Sequence, residues 1–257
     1  MCTVVVLHRP EHAWPVLLAG NRDEMVNRPW RAPGRHWADR PHVIAGLDEV
    51  GNGTWFGLND RGVAAGIMNR AGTLGPASGK RSRGEIVLAA LDHSSADTAV
   101  KALAGLRPGD YRAFNLLVAD ARAVYWLRHS DEPASERIEV FAVPAGLSML
   151  TAYDLNDSSS ARIRRYLPLF RHAATPDPGR AEWSSWIQLL ASRDSDADVM
   201  REGALNVVTD LGFGTVSSFV LGLPAPGTSD EKPRFRFAAG RPDQVPFKDV
   251  RLDGAPR

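Results

Sequence analysis

The sequence has a single cysteine, Cys2, and no apolar stretch long enough to cross a membrane. One cysteine excludes a disulfide within the chain, which fits a reducing compartment. No charged segment followed by an apolar run opens the sequence, so no secretion signal is expected. Lys and Arg total 31 against 30 Asp and Glu, so no overall charge would attract nucleic acid or an anionic membrane. We therefore expect a soluble, cytoplasmic protein without nucleic-acid partners.

Cys2 stands between Met1 and Thr3, directly before the β-branched run Val4-Val5-Val6. A methionine ahead of a small side chain is normally removed, which would leave Cys2 with a free α-amine beside its thiol. A thiol attacks as its thiolate, and an amine with a pKa of roughly 8 is a suitable proton acceptor. Cys2 is therefore a candidate nucleophile that carries its own base, and a reactive thiol of low pKa is expected after processing. The alternative is a small buried apolar residue, the usual role of a lone cysteine.

Short apolar runs separated by turn residues indicate many β-strands and few helices. The expected strands are Thr3–Leu7, Pro15–Ala19, Val43–Leu47, Thr54–Leu58, Val63–Met68, Phe114–Asp120, Ala123–Arg128, Ile138–Val143, Thr215–Leu223 and Arg234–Ala239. The expected helices are Ile86–Leu91, Asp97–Leu106, Ser160–His172 and Trp183–Ala191. Strand pairs flanked by helices, without strict βαβ alternation, predict an α+β fold with mostly antiparallel sheets. We expect one domain over residues 1–257.

Three local features carry further expectations. The first two strands should form a hairpin, and Asn59-Asp60-Arg61-Gly62 should be a tight turn that needs a positive φ. Ala96-Asp97 should cap the second helix. The basic cluster Arg162-Ile163-Arg164-Arg165 is expected on a solvated face. Thr175–Arg180 is expected to be a surface loop, with a domain boundary as the alternative.

A polar tetrapeptide, Asn21-Arg22-Asp23-Glu24, follows the second expected strand. By itself such a block can be a turn held by an arginine–carboxylate pair. Further blocks follow it along the chain: Arg28-Pro29, Gly53-Thr54-Trp55-Phe56-Gly57-Leu58, Gly62 to Asn69, Ser82-Arg83-Gly84-Glu85, Phe114-Asn115-Leu116 and Phe213-Gly214-Thr215. With Cys2 and these blocks, the chain resembles the NRDE family, which is named after the tetrapeptide and includes the transport and Golgi organisation 2 proteins.

The NRDE family is similar in sequence pattern to N-terminal nucleophile (Ntn) hydrolases. The similarity is to their cysteine branch, which contains bile-salt hydrolases, penicillin V acylase and acid ceramidase. It implies a four-layer αββα sandwich, in which two mostly antiparallel sheets lie between helices. It also implies hydrolysis of a non-peptide C–N bond, an amide, in a small or acyl substrate, without a cofactor.

The resemblance also implies roles for individual residues. Cys2 matches the nucleophile, and Arg22 and Asp23 match the pair that holds the thiolate and the α-amine. Asn69 matches the asparagine of the oxyanion hole, a donor whose loss lowers acyl-transfer rates by roughly 10²–10³-fold. Adjacent strand residues point to opposite faces, so both Arg22 and Asp23 can serve Cys2 only with a bulge or a turn there.

Two further positions of these hydrolases have looser matches in this chain. Asp154 and Asn156 are the candidates for a second oxyanion asparagine, and Arg241 is the candidate for a late arginine.

One other function stays open, a non-catalytic protein of the same fold that binds or transports haem or acyl lipids. The histidines lack the spacing of a zinc site, so no metal is expected.

Overall fold

The computed structural model describes residues 2–130, 137–196, 203–227 and 231–253. These residues form thirteen β-strands in two antiparallel sheets and four α-helices. The strands are β1 (Thr3–His8), β2 (Val16–Met25), β3 (Trp30–Gly34), β4 (Val43–Asp48), β5 (Phe56–Asn59), β6 (Ala64–Asn69), β7 (Phe114–Ala119), β8 (Val124–His129), β9 (Glu139–Ala142), β10 (Gly146–Leu150), β11 (Phe213–Leu223), β12 (Arg234–Ala238) and β13 (Lys248–Asp249). The helices are α1 (Gly84–Leu91), α2 (Ala96–Leu103), α3 (Ala161–His172) and α4 (Ser184–Leu190).

The chain divides into two compact units, each of which contains one sheet. The first unit consists of Met1–Arg28 and Ala145–Val250, and the second of Pro29–Pro144 with Arg251–Arg257. The unit boundaries do not fall in the Thr175–Arg180 connection, which instead contains one turn of 3-10 helix. One domain over residues 1–257 stays a prediction.

The sheet of the first unit has six strands in the spatial order β10-β1-β2-β11-β12-β13. β1 and β2 pair with Thr3 opposite Asn21 and His8 opposite Val16, which confirms the predicted hairpin. Helices α3 and α4 cover one face of this sheet, where apolar side chains from both layers form a continuous core. Members of that core include Val5, Leu17, Val220, Ile163, Tyr166, Phe170 and Trp186.

The sheet of the second unit has seven strands in the order β3-β4-β5-β6-β7-β8-β9. Helices α1 and α2 pack on one face of it, and their buried residues include Ile86, Leu91 and Val100. Gly62, between β5 and β6, has a φ of +80°, as predicted for the tight turn. No helix in the described part of the chain is long and apolar enough to cross a membrane.

Several local predictions were wrong or incomplete. β3, β10 and β13 were not predicted; β3 contains Pro33, which lacks an N–H, and it lies at the sheet edge where proline is tolerated. Ser95, rather than Ala96-Asp97, caps α2: its hydroxyl accepts from the Thr98 N–H and the Thr98 hydroxyl accepts from the Ser95 N–H. α2 ends at Leu103, before the expected limit at Leu106.

Candidate active site

Cys2 lies directly before β1, in a row with Arg22 and Ser217. Thr3 pairs with Asn21 across β1 and β2, so continuing the register by one residue places Cys2 beside Arg22. Arg22 pairs on its other side with Ser217 of β11. Directly opposite residues of antiparallel strands share a face of the sheet. The thiol, the guanidinium and the hydroxyl are therefore on one face.

Asp23 directs its carboxylate to the opposite face, where α3 packs. Its Oδ2 atom accepts a hydrogen bond from Arg162 Nη1 at 2.9 Å, and its Oδ1 atom accepts one from Thr215 Oγ1 at 2.7 Å. Arg162 Nη1 also donates to Thr3 Oγ1 at 2.7 Å. The side chains of Asp23 and Arg162 are 0% and 4% exposed, so both charges are removed from water. Charges buried in this way require a partner and hydrogen bonds, and the pair supplies both.

A β-bulge in β11 permits this arrangement. Thr215 pairs with Asp23 and Ser217 pairs with Arg22, so Val216 is an extra residue on β11. The extra residue shifts the alternation of side chains, and Thr215 therefore faces the same side as Asp23. A bulge or turn was predicted for the adjacent Arg22 and Asp23. A bulge is present at that level of the sheet, but in the neighbouring strand.

Asp23 contacts Cys2 through its backbone carbonyl group, and the charge of its carboxylate also acts on the thiol. Cys2 Sγ lies 3.9 Å from the carbonyl oxygen of Asp23, within range of a weak S–H···O hydrogen bond. Arg22 is buried, and its Nη2 atom lies 3.9 Å from Glu24 Oε2. The side-chain charge of Arg22 thus acts on the Cys2 thiol, and the carbonyl group of Asp23 contacts it.

Burial raises the pKa of the Cys2 thiol, because loss of water disfavours the thiolate. The positive charges of the chain's N-terminus and of Arg22 lower this pKa, whereas the negative charge of Asp23 raises it. Cys2 as a whole residue keeps some accessible surface. Its sulfur nevertheless lies among protein atoms, so desolvation is the largest effect. In the full chain burial therefore disfavours the thiolate, and a low pKa after removal of Met1 stays a prediction.

Asn156 uses its side chain to hold the loop that follows β10. It adopts a left-handed φ of +59°, its Oδ1 atom accepts from the Met149 N–H at 2.8 Å, and its Nδ2 atom donates to Ser148 Oγ at 3.1 Å. Leu150 pairs with Val4, so this loop continues past the end of β1 where Cys2 lies. Asp154 is half-buried in the same loop. An oxyanion role for either residue stays a prediction.

Arg241 and Asn69 are the two remaining candidates. Arg241 forms a two-pronged ion pair with Asp243, with Nε 3.1 Å from Oδ1. Its guanidinium is therefore engaged with that carboxylate. Asn69 is the last residue of β6 in the second unit, where it pairs with Phe114 and is half-buried. Both roles implied by the resemblance stay predictions.

Sequence reasoning missed Arg162, which was expected on a solvated face. That expectation was wrong, because Arg162 is buried at the start of α3. The buried positions of this helix form a stripe at helical spacing, and they are Arg162, Ile163, Tyr166, Leu167 and Phe170. An arginine on such an apolar stripe indicates a buried acidic partner, and this was the signal available in the sequence. Thr3, Thr215 and Ser217 carried no comparable signal.

Comparison with known proteins agrees with this architecture. The amidase ortholog of Caenorhabditis elegans that hydrolyses N-acylethanolamines superposes with a TM-score of 0.57 at 13% identity, covering 97% of this chain and 100% of that chain. A variant of the conjugated bile acid hydrolase from Clostridium perfringens superposes with a TM-score of 0.56 at 13% identity, covering 99% and 95%. At this identity the likeness shows the fold alone, and it confirms the predicted α+β sandwich class.

Sequence comparison identifies the family. The Transport and Golgi organization protein 2 homolog of Bos taurus is 33% identical over 132 residues, which are 48% of this chain and 46% of that protein. The matched region thus spans about half the length of this curated relative. The model of the family described as Transport and Golgi organisation 2 matches residues 1–210. The chain belongs to the Transport and Golgi organisation 2 family.

Proposed function

We propose that the chain is an Ntn-type amidohydrolase that uses Cys2 to cleave an amide C–N bond in a small or acyl substrate. The observation that carries the proposal is the position of the Cys2 thiol, 3.9 Å from the Asp23 carbonyl oxygen and beside Arg22. The fold likeness to an N-acylethanolamine-hydrolysing amidase and to a conjugated bile acid hydrolase supports the same reaction class. Fold alone does not establish an activity, so the residues around Cys2 must account for the chemistry.

The first half of the reaction requires a base for the thiol. Removal of Met1 would free the α-amine of Cys2, which takes the proton from Sγ as the sulfur attacks the carbonyl carbon of the substrate. The C=O π electrons move to the oxygen and give a tetrahedral intermediate with an oxyanion. The positive charge of Arg22 favours the thiolate from the same face of the sheet. Asn69 is the amide donor that the family resemblance assigns to the oxyanion.

The second half releases both products. The C–N bond breaks, the leaving nitrogen takes the proton from the α-ammonium group, and the acyl group remains on Sγ as a thioester. Water then attacks the thioester carbonyl while the α-amine accepts a proton from it. Cleavage of the C–S bond returns the proton to sulfur and yields a carboxylic acid. Every proton in this scheme moves between Cys2, the leaving nitrogen and water, and nothing is oxidised or reduced. The proposal therefore needs no cofactor.

Mass spectrometry of the intact protein tests the proposal directly. Protein isolated from its native source should lack Met1, and an acyl-directed electrophile should add once, at the only cysteine. Cys2→Ala should abolish labelling, and Cys2→Ser should fold normally but label poorly. Retention of Met1 in the native protein would contradict the mechanism. Tight binding of haem or a long-chain acyl ligand that survives Cys2→Ala, without turnover, would favour the non-catalytic alternative.

A further inference from the structure

We propose that Arg162 is a positioning residue of the Cys2 site, which balances the charge of Asp23 and holds the Asp23 carbonyl against Cys2 Sγ. The proposal rests on the proposed function only in taking Cys2 as the reacting group. Arg162 binds Thr3 and Asp23 on the face of the sheet opposite to the Cys2 thiol, so it would act through these two residues.

Arg162 makes hydrogen bonds to two residues that adjoin Cys2. A single nitrogen, Nη1, donates to Thr3 Oγ1 at 2.7 Å and to Asp23 Oδ2 at 2.9 Å. Thr3 follows Cys2 directly in the chain, and Asp23 places its carbonyl oxygen 3.9 Å from Cys2 Sγ. The Arg162 guanidinium group therefore links Thr3, which follows Cys2 in the chain, to Asp23, whose carbonyl group contacts Cys2.

Arg162 is itself fixed at the start of α3. Ser160, the N-cap residue, accepts a hydrogen bond from the Ile163 N–H at 3.4 Å, and its hydroxyl lies 3.3 Å from Thr151 Oγ1 in the loop after β10. Ile163 packs in the apolar core of the first unit. The guanidinium group is thus presented from a helix terminus joined to the strand layer by hydrogen bonds and packing. Rigid support of this kind is what a positioning residue requires.

The charges around Cys2 make the role electrostatic as well as geometric. The charges that act on the thiol are those of the chain's N-terminus, Arg22 and Asp23, and Arg22 Nη2 is also 3.9 Å from Glu24 Oε2. Asp23 is the one of these three whose charge opposes thiolate formation. Arg162 offsets that charge at 2.9 Å in a buried setting, where charge interactions are screened less than at the surface. Loss of Arg162 would leave the negative charge of the buried Asp23 carboxylate without its opposing positive charge, across the sheet from the thiol.

The test is the pH dependence of Cys2 alkylation by iodoacetamide, which needs no substrate and reports one residue, because the chain has one cysteine. Arg162→Gln should move the midpoint to higher pH by about one unit, which slows alkylation about tenfold at a fixed pH below the midpoint. Arg162→Lys keeps the charge and should stay within about threefold of the wild-type rate. Thr215→Val removes the hydrogen bond from Thr215 to Asp23 without changing charge, so it should leave the midpoint near that of the wild type.

Each outcome decides for or against the proposal. An unchanged midpoint in folded Arg162→Gln would overturn it, as would an equal shift in Arg162→Lys and Arg162→Gln. If Arg162→Gln does not fold, the double variant D23N/R162Q replaces the ion pair by two neutral amides. Its midpoint should lie at or below that of the wild type, and a higher midpoint would contradict the electrostatic role. Absence of amide hydrolysis in the wild type would count against the proposed function while leaving these alkylation shifts intact.

Discussion

Arg162 Nη1 lies 2.9 Å from Asp23 Oδ2, although the two residues are 139 positions apart in the sequence. The pair joins the first turn of α3 to the end of β2, on the face of the sheet opposite to Cys2. Its consequence is that the environment of the thiol depends on a helix as well as on the strands that flank it. A substitution that disturbs α3 should therefore change the environment of the Cys2 thiol.

Replacement of Arg162 by methionine should lower the free energy of unfolding by about 3–5 kcal/mol, because Asp23 would be left buried without its partner. Methionine fills similar space, so lost packing contributes little. Arg164→Met, on the same helix, is the matched control, since its side chain is 45% exposed and its nearest ion pair is at 3.7 Å. The control should change stability by about 0.5 kcal/mol or less. Urea titrations measure both, and equal changes would contradict the buried-pair interpretation.

Ser217 and Ser218 are neighbours on β11 with opposite hydrogen-bonding status. Ser217 Oγ is buried without a hydrogen-bond partner among the described residues, whereas Ser218 Oγ donates to Asn21 Oδ1 at 2.7 Å. Ser217→Ala should therefore be neutral or stabilising, because it removes an unsatisfied hydroxyl. Ser218→Ala should cost about 1–3 kcal/mol, because it leaves a buried carbonyl oxygen unsatisfied. Thermal and urea unfolding measure the stability of both variants. A Ser217→Ala variant that is less stable than Ser218→Ala would contradict this account.

The sequence predicted what depends on neighbours along the chain. The β1–β2 hairpin and the turn at Gly62 were found because strand alternation and turn residues are local signals. The order of strands and helices predicted the α+β class. The family resemblance added the four-layer sandwich and placed Cys2, Arg22 and Asp23 together. Those three residues are contiguous in space because β1 and β2 are consecutive strands.

Long-range register and helix docking could not be predicted in the same way. The bulge at Val216 arises from how β11 pairs with β2, and no local pattern marks the position of an extra residue. Arg162 meets Asp23 only when α3 packs on the sheet. Edge strands β3 and β13 are short and lack apolar alternation, so they were missed for lack of a hydrophobic signal.

A substitution at Gly53 tests how closely this residue packs against α1 in the second unit. A Cβ atom at this position would lie 2.7 Å from the carbonyl carbon of Gly84, the first residue of α1. Backbone cannot move aside as a flexible side chain can, so Gly53→Ala should cost about 1–3 kcal/mol. Gly109→Ala is the control, because a Cβ there meets no atom within 4 Å. Differential scanning calorimetry should show a lower Tm for the first variant only, and equal Tm values would contradict the close approach.

The titration of Cys2 should differ between the folded and unfolded chain. With Met1 in place, burial raises the pKa of the thiol, so the midpoint of its alkylation profile should be higher in the folded protein than in the same protein in concentrated urea. A raised pKa in the folded state means that the unfolded chain releases its proton first. The free energy of unfolding, compared with Cys2→Ser, should therefore fall as pH rises past the ordinary pKa of a thiol and level off above the folded value.

Removal of Met1 should reverse part of this shift. The positive α-ammonium group would then belong to Cys2 itself, and an adjacent positive charge favours the thiolate. Treating the purified chain with methionine aminopeptidase, confirming the loss by intact mass, and repeating the alkylation profile measures the effect. The midpoint should move to lower pH in the processed protein, and the Arg162→Lys variant should show the same displacement. A midpoint that stays where it was, or rises, would mean that the α-amine does not act on the thiol, and Cys2 would lose the base on which the proposed hydrolysis depends.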